Sequence, residues 1–126
     1  MNTNKISKKI LIVEDDEDFV FILEKKFTME GFLVVTAKDG QEGAAVAEKE
    51  KPDLILSDIL MPNVDGMAMA KKIREFNATV PIIFLTNLKD IDYTASAQAS
   101  DNFGYLIKSD TRIDQIVAKS KIALGL

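Results

Sequence analysis

Acidic, hydroxyl and basic side chains stand where short apolar runs end. Glu14, Asp15 and Asp16 follow Ile10–Val13, Asp58 follows Leu54–Leu56 after a single serine, Thr86 follows Ile82–Leu85, and Lys108 follows Tyr105–Ile107. If those runs are strands of one sheet, carboxylates, a hydroxyl and an ammonium converge on one rim, where open α/β sheets bind ligands. Converging carboxylates repel unless a cation or a proton intervenes. The chain has no His and no Cys, so zinc and haem lose their usual ligands and any metal should be hard and oxygen-bound. Mg²⁺ suits such a site, because it keeps several waters in an octahedral shell and asks few donors of the protein. Phosphoryl transfer would use it: the metal neutralises oxygen charge while a carboxylate attacks, with Lys108 and Thr86 holding the remaining phosphoryl oxygens.

Each residue alone has a plainer reading. The acidic run from Glu14 to Asp18 suits the start of a helix, Asp58 a turn before Pro62, Thr86 a strand-end hydroxyl, and Lys108 a solvated cation. The conjunction outweighs these readings, since several unrelated surface residues would all have to fall at strand ends by accident.

The elements that would position them follow from pattern. Ile10–Val13, Phe32–Thr36, Leu54–Leu56, Ile82–Leu85 and Tyr105–Ile107 are short, mostly β-branched or aromatic, and bounded by turn formers, which predicts strands. Four are continuously apolar, as parallel strands covered on both faces are. Helices are predicted between them. Phe19, Ile22, Leu23 and Phe27 repeat at helical spacing before Glu30-Gly31, and Gln41–Lys51 is Ala-rich and ends before Pro52. Gly66–Phe76 turns Ala70 and Ile73 inward and Lys71, Lys72 and Arg74 outward. Asp90–Ala99 is a poorer helix, rich in Ala, Ser and Thr, and Asp110 is the expected cap of a last helix carrying Ile113, Ile116, Val117, Ser120 and Leu124 on one face. Five β-α units in series predict an α/β fold with a parallel sheet and helices on both faces.

The 126 residues carry 16 Lys plus Arg against 20 Asp plus Glu, a net charge of −4, with 47% hydrophobic and 29% charged residues. That composition excludes a disordered or fibrous chain, and the length suits one domain, 9–126, after a short tail, 1–8. A pI near 4.8 speaks against a nucleic-acid surface. No apolar run approaches the ~20 residues that span a bilayer, and the polar Met1 to Ser7 lacks the apolar core of a signal peptide, so no membrane partner and a cytoplasmic location are expected.

Four segments together resemble the receiver domain of bacterial two-component response regulators: Ile12 to Asp16 (IVEDD), Ser57 to Gly66 (SDILMPNVDG), Phe84 to Asn87 (FLTN) and Gly104 to Lys108 (GYLIK). The likeness runs from about Lys9 to Leu124, in matching order and spacing. It implies a flavodoxin-like, doubly wound sheet of strand order 2-1-3-4-5 and phosphorylation of Asp58 by a sensor histidine kinase or histidine phosphotransfer protein. By position, Asp15, Asp58 and the backbone carbonyl of Leu60 would bind Mg²⁺, with Mn²⁺ a substitute, and Glu14 would act through water. Asp16 falls outside the acidic pair and reads as a helix-start carboxylate. In the family, the threonine matched by Thr86 and the aromatic matched by Tyr105 switch a face made of the fourth helix, fifth strand and fifth helix. That face would contact a downstream protein or a second copy. The plainer reading of Tyr105 is a half-buried strand aromatic with its hydroxyl in water.

Departures carry information too. Leu60 and Leu88 stand where family side chains flank the hydrolytic water, and two apolar groups orient no water by hydrogen bonding, so slow autodephosphorylation is expected. Asn87 replaces a small residue beside the threonine, and Ser109 replaces a proline that usually follows the lysine through a cis peptide. These two leave a binding-only pseudo-receiver as the alternative to a stand-alone, chemotaxis-regulator-like phosphoacceptor that assists its own phosphorylation and dephosphorylation without being an enzyme. An aspartyl-phosphate phosphatase would place an acid where Leu60 stands, and no phosphate-binding glycine loop occurs.

Overall fold

The computed structural model describes residues 7–61, 63–86, 103–108 and 111–126. Strands β1 (Lys9–Val13), β2 (Leu33–Ala37), β3 (Leu54–Asp58), β4 (Ile82–Thr86) and β5 (Phe103–Ile107) form one sheet in the order β2-β1-β3-β4-β5, every pair parallel. Helices α1 (Glu17–Met29), α2 (Gly40–Glu50), α3 (Gly66–Phe76) and α4 (Ile113–Ala123) follow the strands. The expected fold class and strand order hold. Asp90–Ala99 lies outside the described residues, as do Pro62, Asn87, Leu88, Ser109 and Asp110.

Period-two alternation sorts the buried strands into two cores. Leu11, Val13, Ile55, Ile82 and Phe84 point to the face covered by α2 and α3, meeting Ala44, Ala47, Met69, Ala70 and Ile73. Ile10, Ile12, Leu54, Leu56, Ile83 and Leu85 point the other way, onto Leu23 and Phe27 of α1 and Ile116 and Val117 of α4. Strands that must serve both faces are apolar throughout, which is why their sequences run continuously hydrophobic. β2, at the edge, is half exposed instead.

Three expectations need correction. Ile22 is 49% exposed, because Phe19, Leu23 and Phe27 recur every four residues along one face of α1 and Ile22 falls one helical step off it. Arg74 is half-buried rather than outward, its guanidinium turning back to donate to the Asn77 carbonyl at 3.2 Å beside the end of α3. The last helix starts at Ile113, which puts Arg112 rather than Asp110 at the N-cap position, and the Gln115 side chain accepts from the Arg112 N–H at 2.8 Å.

Candidate functional site

β1 carries Glu14 into the rim. Its N–H donates to the Ala37 carbonyl at 3.0 Å, continuing the β1–β2 ladder past its last pair, Val13 with Ala37. The side chain is therefore held inward and almost wholly buried, with Oε2 accepting from the Asp16 N–H at 3.1 Å. Asp16 caps α1, its carboxylate accepting from the Asp18 and Phe19 N–H groups, as expected of a helix-start acid. Asp15, between them, stays exposed on the rim.

Asp58 is the last residue of β3 and is also buried. Its Oδ1 accepts from the Ile59 N–H at 2.9 Å, and its Oδ2 lies 3.3 Å from Lys108 Nζ. α3 begins hard against this strand end: the Gly66 N–H donates to the Ile59 carbonyl at 2.7 Å, and a Cβ on Gly66 would collide with the Asp58 carbonyl. Only glycine permits that approach. Lys108, beyond β5, reaches across to Glu14 Oε1 at 2.6 Å as well, and its ammonium lies over the Phe19 ring, 4.8 Å from the centroid. Thr86 ends β4 fully buried, one residue past Leu85, which pairs with Asp58. Tyr105 pairs with Phe84 and packs half-buried against the core beneath α2 and α3, so its ring lies in a position either reading allows. Leu60 follows β3 with its side chain 41% exposed.

One carboxylate oxygen from each of Glu14, Asp15 and Asp58 falls within 4.8 Å of the others. Burial pushes the Glu14 carboxyl up to about 7, with the Lys108 hydrogen bond pulling it down and the Asp58 charge adding to the rise. Asp58 is likewise raised by burial, against the opposing charge and hydrogen bond of Lys108. Burial works against the Lys108 charge, but the Glu14 hydrogen bond and the Asp58 and Glu14 charges outweigh it and raise its pKa. Three carboxylates against one ammonium leave an excess of negative charge, and an all-oxygen donor set of that size fits a hard divalent cation such as Mg²⁺.

The structure thus brings Glu14, Asp15, Asp58 and Lys108 together, with Thr86 on the adjoining strand end and Tyr105 a strand further out. Sequence reasoning missed the contact of one contributor and assigned none to two others. Phe19 reads only as part of a core face, although it also floors Lys108; Gly66 and Ser57 stand in the motif Ser57 to Gly66, but nothing local to the sequence gives their contacts with the Asp58 carbonyl. Among the described residues, no helix is long and apolar enough to cross a membrane.

Known proteins with similar sequences or structures bear on this rim. The transcriptional regulatory protein PhoP for alkaline phosphatase synthesis in Bacillus subtilis is 42% identical over 81 residues, covering 64% of this chain and 34% of that protein. The DNA-binding transcriptional regulator NtrC of Salmonella typhimurium is 35% identical over 116 residues, covering 92% of this chain and 24% of that protein. The chain therefore spans only a quarter to a third of the length of these curated relatives. Among solved structures, the receiver domain of a sensor histidine kinase from Pseudomonas aeruginosa, with a magnesium ion coordinated in its active site cleft, superposes with a TM-score of 0.83 at 27% identity, covering 96% of this chain and 100% of that one. Residues 10–120 match the response regulator receiver domain, and with this fold and rim the chain belongs to that family.

Proposed function

We propose that Asp58 is the phosphoryl acceptor of this receiver domain, supplied by a sensor histidine kinase or a histidine phosphotransfer protein, and that acceptance switches a protein-contact surface. The observation that carries the reading is the convergence of Glu14, Asp15 and Asp58 around the Lys108 ammonium at the carboxyl end of a parallel sheet. Asp15, Asp58 and the Leu60 carbonyl would hold Mg²⁺, or Mn²⁺ in its place, with Glu14 acting through water; the magnesium-bound relative supports the choice of ion. Bound there, the ion supplies positive charge to the oxygens of the incoming phosphoryl group.

The chain's own residues do the rest. A lone pair of the Asp58 carboxylate forms the new O–P bond as the P–N bond of the donor phosphohistidine breaks, the imidazole leaving with that electron pair, and the product is an acyl phosphate. Lys108, kept charged by its two carboxylate partners, faces Asp58 and offsets phosphoryl charge, while the Thr86 hydroxyl donates to a phosphoryl oxygen. The domain assists its own phosphorylation and dephosphorylation rather than turning over a substrate, and apolar Leu60 and Leu88 leave the acyl phosphate long-lived. New contacts from Thr86, followed by Tyr105, favour one of two packings of the face that includes β5 and α4. Output of these residues is by contact with a downstream protein or a second copy in the cytoplasm, and the net charge of −4 favours a protein over nucleic acid as their contact.

Incubation with Mg²⁺ and acetyl phosphate, followed by intact mass, tests the reading. The wild type gains one phosphoryl group and Asp58→Ala gains none. Equal gain by both overturns Asp58 as the acceptor, and no gain by either, with a kinase donor as well, favours a pseudo-receiver.

A further inference from the structure

Ser57 is fully buried in β3, a polar residue between the apolar Leu54–Leu56 and the acceptor candidate Asp58. Its Oγ donates to the carbonyl of Asp58 at 2.7 Å. That carbonyl belongs to the Asp58–Ile59 peptide, and the N–H of the same peptide donates to Asp58 Oδ1 at 2.9 Å. The pairing of β3 with β1 ends at Val13 with Ser57, so on that side Asp58 lies beyond the ladder and has no strand partner to fix its peptide. The other constraint comes from α3, whose Gly66 backbone lies against the Asp58 carbonyl.

Resting on the assignment of Asp58 as acceptor, we propose that Ser57 is a positioning residue for phosphoryl acceptance, its hydroxyl fixing the Asp58–Ile59 peptide so that the Ile59 N–H holds the Asp58 carboxylate in one rotation. A peptide plane free to tilt would swing its N–H away from Oδ1 and let the carboxylate turn about its last torsion. Attack on phosphorus needs a lone pair in line with the leaving group, so lost orientation lowers the rate without removing the nucleophile. With acetyl phosphate, one Asp58 oxygen bonds phosphorus while the bond from phosphorus to the acetate oxygen breaks; acetate departs with the electron pair, and no proton is exchanged.

Thr and Val have nearly the same shape, and only Thr carries a hydroxyl on the carbon that Ser uses. Ser57→Thr and Ser57→Val therefore place the same extra bulk in the core and differ in the hydrogen bond. Phosphorylation rates are measured by intact mass at saturating acetyl phosphate and Mg²⁺, with thermal melts alongside, and hydrogen exchange at the Ile59 amide is followed without Mg²⁺. The expected result is a rate in Ser57→Val about tenfold below that of Ser57→Thr, with the donor concentration at half-maximal rate unchanged, and faster Ile59 exchange in the Val variant. Ser57→Ala should resemble Val. Equal rates and equal exchange for Thr and Val, with the wild type modified on Asp58, overturn the role of Ser57 alone. A wild type that takes no phosphoryl group, or takes it elsewhere than Asp58, overturns the acceptor assignment and this role with it.

Discussion

At the scale of single residues, the site depends on one cation being aimed. Lys108 has a long, flexible stem, yet two carboxylates and the face of Phe19 surround its ammonium. Removing the ring leaves the charge but loosens its direction. A contact of this kind contributes about 0.5–1 kcal/mol, so Phe19→Leu should slow phosphorylation from acetyl phosphate by roughly two- to fivefold, while Phe19→Tyr stays close to wild type. Time courses by intact mass check it, and equal rates for the Leu and Tyr variants would assign Phe19 to packing alone. Glu14, Asp15, Asp58, Thr86 and Lys108 were all legible from sequence because each ends an apolar run. Phe19 was not, since its helical spacing with Leu23 and Phe27 already gave it a complete explanation. Its contact with Lys108 joins residues far apart in the chain, and no local pattern encodes that.

Elements deliver these residues, and their ends matter more than their middles. Asp16, Asp39 and Asp65 cap α1, α2 and α3, each accepting from backbone N–H groups of the first turn. Asp65 lies next to Gly66, so its cap also fixes how α3 starts against β3. Asp65→Ala should cost about 1 kcal/mol of stability, read as a lower urea midpoint with unchanged slope, whereas Asp65→Asn or Asp65→Ser should retain most of it. No difference between Ala and Asn would show that the cap contributes nothing. Strand existence and order were readable from period and continuity. Boundaries were not: β2 runs Leu33–Ala37 rather than Phe32–Thr36, because hydrogen bonding with β1 sets its register and Phe32 packs its ring edge-on against Phe27 instead. Asp110 was likewise a reasonable cap by type, but the helix starts at Ile113, so the N-cap position falls on Arg112, whose N–H donates to the Gln115 side chain.

Across the whole molecule, the first and last helices cover one face of the sheet together, and a charged contact joins them. Glu30 at the end of α1 meets Lys121 of α4 at 2.8 Å, with Lys26 nearby at 3.6 Å. The Lys121 hydrogen bond and charge hold the Glu30 carboxyl below its ordinary value of 4.5. A carboxyl with a lowered folded pKa contributes stability that is present above 4.5 and lost as pH falls through its folded pKa. Glu30→Gln should thus be less stable than wild type by about 0.2–1 kcal/mol at neutral pH, the gap closing below pH 4.5 and shrinking with salt. Urea unfolding at several pH values measures it, and a gap that is constant with pH would remove Lys121 from the explanation. The two-faced sheet was legible because its central strands run continuously apolar up to their carboxyl ends, whereas this tether was not, since Glu30 read from sequence only as part of a helix stop and Lys121 gave no signal. The central claim is that the rim makes Asp58 able to accept phosphorus, and the most direct measurement locates the acyl phosphate itself. After treatment with acetyl phosphate and Mg²⁺, borohydride reduction marks the modified carboxyl and peptide mass spectrometry finds it. The mark is expected on Asp58 alone, and only when Mg²⁺ is present; a mark on Asp15 or Glu14, or one that forms equally with the metal chelated, would contradict the account.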